Sequence, residues 1–151
     1  MWNYYPKCEE CHRGIPIEVE VYSGRKYGAS LCRTCQKKLD EILKRSTPYA
    51  VGLYYQLKNK GIPVELEKFD GYKHIDIAIP QAKINIEVDG KHHNTDPEQA
   101  MTDLKRTYYS FKKGYYTIRI PNSISYNLKH LEETAHYLSE IIIDALKERE
   151  K

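Results

Sequence analysis

The chain has 151 residues, carries a formal charge of +3 and is 30% charged, with Tyr abundant and Trp, Phe and Met scarce. That length suits one domain of ordinary size with a small appendage. No stretch approaches the roughly eighteen apolar residues of a membrane span and the start does not read as a signal peptide, so a cytoplasmic protein is expected, and its mild basicity is compatible with a nucleic-acid partner.

All four cysteines fall within the first 45 residues, as Cys8-x-x-Cys11 and Cys32-x-x-Cys35. Two thiolates in a tight turn suit adjacent corners of a tetrahedral site, and two such pairs close it, so a structural Zn²⁺ is expected. The alternative is two disulfides or free thiols. Between the pairs, Ile17 to Tyr22 alternates like a strand, Ser23-Gly24 reads as a turn, and Arg25 to Leu31 returns as a second strand. Cys32 and Cys35 then open a helix with Leu39, Ile42 and Leu43. Knuckle, hairpin and helix together resemble a treble-clef zinc finger. His12, Arg13, Arg25, Lys26 and Arg33 are surface residues on this reading, with DNA contact as the rival for the basic ones.

Ser46-Thr47-Pro48 marks a boundary, giving a zinc module over 1–45 and a second domain over 46–151. A helix follows to about Lys60, with Val51, Tyr54, Tyr55 and Leu57 as its buried stripe. Pro63 to Phe69 reads as a strand and Asp70-Gly71 as a hairpin turn. Next comes Lys73 to Ile79, with Ile75, Ile77 and Ile79 on one face. Ile84 to Asp89 also alternates, placing Ile84, Ile86 and Val88 opposite Asn85, Glu87 and Asp89. An antiparallel pairing of these two strands puts Asp76 on the same face as Glu87 and Asp89. Three convergent acids repel one another unless a hard divalent cation neutralises them. Gly90, Lys91, His92 and His93 follow at the strand end, where either histidine can move a proton and Lys91 can stabilise phosphate charge. For each of these residues the rival is the ordinary wet face of a sheet or a surface loop.

Asp96-Pro97 starts a helix running to about Lys113, with Met101, Leu104, Tyr108 and Phe111 as its core stripe and Asp103 and Arg106 on another side. Tyr115 to Ile120 is a fourth strand, parallel to its neighbour after the helical crossover. The last helix, about Tyr126 to Glu148, buries Leu128, Leu131, Ala135, Leu138 and Ile142. The expected fold class is mixed α+β.

The run Asp76, Glu87-Val88-Asp89-Gly90-Lys91-His92-His93, Asp103-x-x-Arg106, Gly114-Tyr115 and Ile118-Arg119-Ile120 resembles the very short patch repair endonucleases. These belong to the restriction-endonuclease-like, PD-(D/E)xK superfamily, and the resemblance covers residues 47 to 125. It implies a central mixed sheet flanked by helices and Mg²⁺- or Mn²⁺-dependent DNA cleavage. On that resemblance Asp76, Glu87 and Asp89 bind the catalytic metal. His93, with His92 its rival, assists at the phosphate, and Asp103 and Arg106 orient the site or contact phosphate. Asp89 stands where the superfamily's usual lysine would be, and Ala50-Val51-Gly52 where an acid often sits. The expected function is a DNA endonuclease of repair or restriction type, as a possible homodimer. The alternatives are a non-catalytic nucleic-acid-binding zinc protein and a module whose zinc unit docks a partner protein.

Overall fold

A computed structural model of the chain describes residues 5–43, 49–89 and 96–151. The elements are α1 (Ile17–Tyr27), α2 (Arg33–Ile42), α3 (Tyr49–Asn59), β1 (Glu65–Phe69), β2 (His74–Ile79), β3 (Ile84–Asp89), α4 (Pro97–Lys112), β4 (Tyr116–Pro121) and α5 (Leu128–Arg149). The four strands form one sheet in the order β1-β2-β3-β4. β1, β2 and β3 are antiparallel neighbours, and β4 pairs parallel to β3. The class is therefore mixed α+β, a four-stranded sheet flanked by helices with a cysteine cluster near its start. Among the described residues no helix is long and apolar enough to cross a membrane.

One sheet face carries the main core. Ile77, Ile79, Ile84, Ile86, Val88 and Ile120 meet Leu53 and Leu57 of α3 and Leu131, Ala135, Leu138 and Ile142 of α5. These positions alternate along the strands and recur at helical spacing, so each element contributes one apolar face. Leu128, expected on the α5 stripe, is instead 61% exposed in the first turn, beyond the edge of that core. Ile75 is buried but outside the cluster, lining a cavity with Ala78 and Asn85. The alternation is interrupted beside it, where Glu67 of β1 adopts φ 52° across from Asp76.

The segment read as a β-hairpin is a helix. α1 spans Ile17–Tyr27 and buries Val19, Ser23 and Tyr27, a spacing of four. The alternation of Ile17, Val19 and Val21 is too short to decide between periods. The ends decide it. Glu18 and Glu20 occupy the first turn, Arg25 and Lys26 the last, and Gly28 closes the helix at φ 68° with its N–H on the Gly24 carbonyl. The chain from Ala29 to Leu31 is irregular, so the hairpin of a treble clef is replaced by a helix.

A second core ties this N-terminal region to α3. Cys8, Ile15, Val19, Tyr27, Leu31, Cys32, Cys35 and Leu39 pack with Val51 and Tyr55. Polar clamps join them: Tyr55 and Lys58 donate to Glu10 at 2.8 and 3.0 Å, and Asn59 donates to Glu9 at 2.8 Å. α1 and α3 meet at Gly28 and Gly52. A Cβ on Gly28 would lie 3.1 Å from the Gly52 Cα, against backbone that cannot swing aside. Gly28→Ala also forces a side chain into the left-handed region, at about 1–2 kcal/mol. We expect it to lower the free energy of unfolding by at least that much, read as a lower urea midpoint with the m-value unchanged.

Candidate functional site

The cysteine cluster is built from two turns. The first is a tight knuckle in which the Cys8 N–H donates to the Arg13 carbonyl and the His12 N–H to the Cys8 carbonyl, both at 2.8 Å. His12 reaches φ 60° to make that turn. Cys32 is the N-cap of α2, and Cys35 lies in its first turn. The donor sulfurs of Cys8, Cys11, Cys32 and Cys35 all lie within 4.8 Å of one another, with Cys11 and Cys32 3.8 Å apart. All four are free thiols, so the disulfide alternative fails. His12 is exposed and outside the set.

Burial resists ionisation of Cys32, but the Cys35 N–H and the surrounding thiols outweigh it and bring its pKa down to about 7. Burial pushes the Cys35 thiol up, and its cysteine neighbours push it further. One thiolate thus forms readily and opposes the next. A cation removes that conflict, and the four cysteines are positioned to bind a metal ion.

The acidic residues lie where β2 and β3 part. The antiparallel ladder runs from Ile79↔Ile84 to Ile77↔Ile86, which sets Asp76 across from Glu87. There the Asp76 carboxylate accepts the Val88 N–H at 2.7 Å. Burial is the main force raising its pKa to about 7. The Val88 hydrogen bond opposes this, the negative charges of Glu87 and Glu67 add to it, and Lys73 opposes it. Glu87 is 7% exposed and forms an ion pair with Lys73, whose side chain is 15% exposed. Asp89 pairs with Arg119 at 3.2 Å, and Arg119 also donates to the Thr107 hydroxyl of α4 at 3.1 Å.

The three acids are therefore close in register, and two of them are held by cations. Among the described residues, the cysteines alone form a group of three or more possible ligands with donor atoms within 4.8 Å of one another. A cation shared by Asp76, Glu87 and Asp89 would have to displace Lys73 and Arg119. Lys91, His92 and His93 lie outside the described residues, as do Gly90 and the boundary at Ser46-Thr47-Pro48. Asp103 and Arg106 form an ion pair at 3.2 Å, joined by Gln99, which donates to Asp103 at 3.4 Å.

Two residues of this neighbourhood were not singled out from the sequence. Lys73 lies in the turn after Asp70-Gly71, and Glu67 sits in β1 opposite Asp76. The one signal for Glu67 is an acid in mid-strand, where acids are disfavoured.

α4 faces the sheet the opposite way from expectation. Its proposed core stripe is exposed: Met101 50%, Leu104 62%, Tyr108 52% and Phe111 68%. Its partly buried residues are Gln99, Asp103, Arg106, Thr107 and Ser110. The physical reason is the surface beneath, where Asn85, Glu87, Asp89 and Arg119 need polar partners rather than methyl groups.

Comparison of the chain with protein-family models, curated proteins and solved structures finds no match.

Proposed function

We propose that the protein is a Mg²⁺-dependent DNA endonuclease of the restriction-endonuclease-like kind, with a structural Zn²⁺ held by Cys8, Cys11, Cys32 and Cys35. The observation that carries the reading is the pairing of half-buried Asp76 with buried Glu87 at the opening between β2 and β3. Burying two acids within each other's field costs stability, and among the described residues Lys73 and one backbone N–H offset it there. Such an arrangement suits a site that accepts a hard cation. When bound there, Mg²⁺ supplies an activated water and neutralises charge at the phosphodiester.

This chain's own residues do the rest. Asp76, whose pKa burial raises to about 7 in the metal-free fold, would gain a partner for its carboxylate when the cation binds. Lys73 stands beside Glu87, where the sequence has Asp89 in place of the superfamily's lysine. Released from Glu87, its ammonium is free to meet a phosphate oxygen. Arg119 bridges Asp89 to α4 and fixes the helix over the acidic face.

The test is cleavage of supercoiled plasmid with Mg²⁺ or Mn²⁺. Glu87→Gln keeps an acceptor for Lys73 and removes the charge, so it should melt near the wild-type temperature. It should lower the cleavage rate by about 100-fold or more, the scale of one lost electrostatic contributor. Wild-type protein that binds DNA but leaves the plasmid intact would sink the hydrolytic reading. The pairing of Glu87 with Lys73 and of Asp89 with Arg119 favours one alternative specifically, a nucleic-acid-binding protein that does not cleave.

A further inference from the structure

A groove of about 490 Å³ lies between the β1–β2 turn and α4, lined by Tyr72, Lys105, Arg106, Tyr109 and Lys113 among others. We infer that this groove binds an unpaired nucleotide of single-stranded DNA, its base stacked on Tyr72 and Tyr109 and its phosphates held by Lys105 and Lys113. The inference rests on the nucleic-acid reading above and specifies the strand form.

The two rings are exposed, at 74% for Tyr72 and 63% for Tyr109, yet neither hangs free. Tyr72 sits on a locked turn. One Asp70 carboxylate oxygen accepts the Tyr72 and Lys73 N–H groups at 2.8 Å, and the Asp70 N–H donates to the Lys73 carbonyl at 3.0 Å. The Arg106 guanidinium stands 5.7 Å from the Tyr72 ring centre. Tyr109 is held edge-on by Tyr108 at 5.4 Å. Large exposed rings presented from a helix and a hydrogen-bonded turn are stacking platforms for a base.

The charge around them is positive. Lys105 and Lys113 line the groove beside Arg106, whose guanidinium is paired with Asp103, while the Asp70 carboxylate is committed to its own turn. The pattern continues beyond the groove along α4, where Tyr108 and Phe111 are exposed and Lys112 stands 5.5 Å from the Tyr108 ring centre. Alternating rings and cations match a polymer with a π-face and a phosphate in every unit. A duplex keeps its base faces inside the stack and cannot use such platforms. The next residue after Tyr72 is Lys73, the partner of Glu87.

The test measures fluorescence anisotropy of a labelled mixed-sequence strand of about 20 bases, alone and annealed to its complement, at low salt without added Mg²⁺. Wild-type protein should prefer the single strand. Tyr72→Ala and Tyr109→Ala, both at exposed positions, should each weaken single-strand binding by about 5- to 100-fold and change duplex binding by less than about twofold. Lys105→Ala should reduce the slope of log affinity against log salt by about 0.7. Wild-type protein that binds the single strand through these rings but leaves plasmid uncut keeps the groove standing and sinks the hydrolytic reading alone. Absence of single-strand binding, preference for duplex, or unaltered affinity in the Tyr72→Ala/Tyr109→Ala double variant overturns the inference.

Discussion

Replacing Cys35 with serine should unfold the N-terminal region and destabilise the rest of the chain with it. Cys35 is buried in a core made from fewer than forty residues plus two from α3. A core of that size does not offset the conformational entropy of its own chain without a staple. Four sulfurs within 4.8 Å are a staple only when a cation bridges them, because otherwise burial and mutual repulsion set them against one another. The loss does not stop at the knuckle. Val51 and Tyr55 of α3 would lose their cover, and the ties of Tyr55 and Lys58 to Glu10 would go. α3 also supplies Leu53 and Leu57 to the main core. We expect wild-type protein to carry zinc and Cys35→Ser not to, measured by plasma mass spectrometry, and the variant to lose part of its helical circular dichroism. Its melting temperature should fall by roughly 10 °C, the equivalent of about 3–5 kcal/mol for a chain of this length. Stripping the metal from wild-type protein with a chelator should reproduce that shift. A melting curve unchanged by either treatment would show that the cysteines contribute nothing to the fold.

What was legible in the sequence was the part governed by short-range rules. The strand Ile84 to Asp89, the Asp70-Gly71 turn, the Asp96-Pro97 helix start and the parallel return of β4 all appear where expected, although that strand is buried on both faces rather than one. Each depends on residues adjacent in sequence or on one topological rule. The errors fall where the deciding contact is remote or where two periods compete. At Ile17–Tyr27 a three-residue alternation lost to charged helix ends and a glycine cap. In α4, periodicity found the apolar stripe but could not say which side docks. The sheet face below it is polar, so Asp103, Arg106 and Thr107 turn inward and Leu104 and Phe111 outward.

The candidate site divides the same way. Its acids could be placed on one sheet face from strand period alone. Their partners could not, because Lys73 reaches Glu87 across the β1–β2 turn and Arg119 reaches Asp89 only through the β3–β4 register. Those partners matter for chemistry. They set the resting state of the acids, and a cation would have to compete with both.

Asp76→Asn should stabilise the protein at alkaline pH and disable it. The Asp76 carboxyl is ordinarily half-ionised near 3.8, and burial, with Glu87 and Glu67 adding to it, raises that to about 7 in the fold. The folded state therefore holds a proton that the unfolded chain has released. Between pH 4 and 7 the native state binds more protons than the unfolded state, so stability falls as pH rises through that window. Below pH 4 the penalty vanishes, and above pH 7 it is complete. At about 1.4 kcal/mol per unit, the full penalty is of order 4 kcal/mol. Asparagine keeps an oxygen for the Val88 N–H and never ionises, so the variant escapes it. The two proteins should melt together near pH 4, and the variant should melt higher by roughly 10 °C at pH 8. Millimolar Mg²⁺ at pH 8 should then raise the melting temperature of the wild-type protein and leave Asp76→Asn unmoved, since only the carboxylate gains a partner. A buried acid that lowers stability until a cation arrives belongs to a site. Equal responses of the two proteins to Mg²⁺ would instead make Asp76 a structural cap for the opening between β2 and β3.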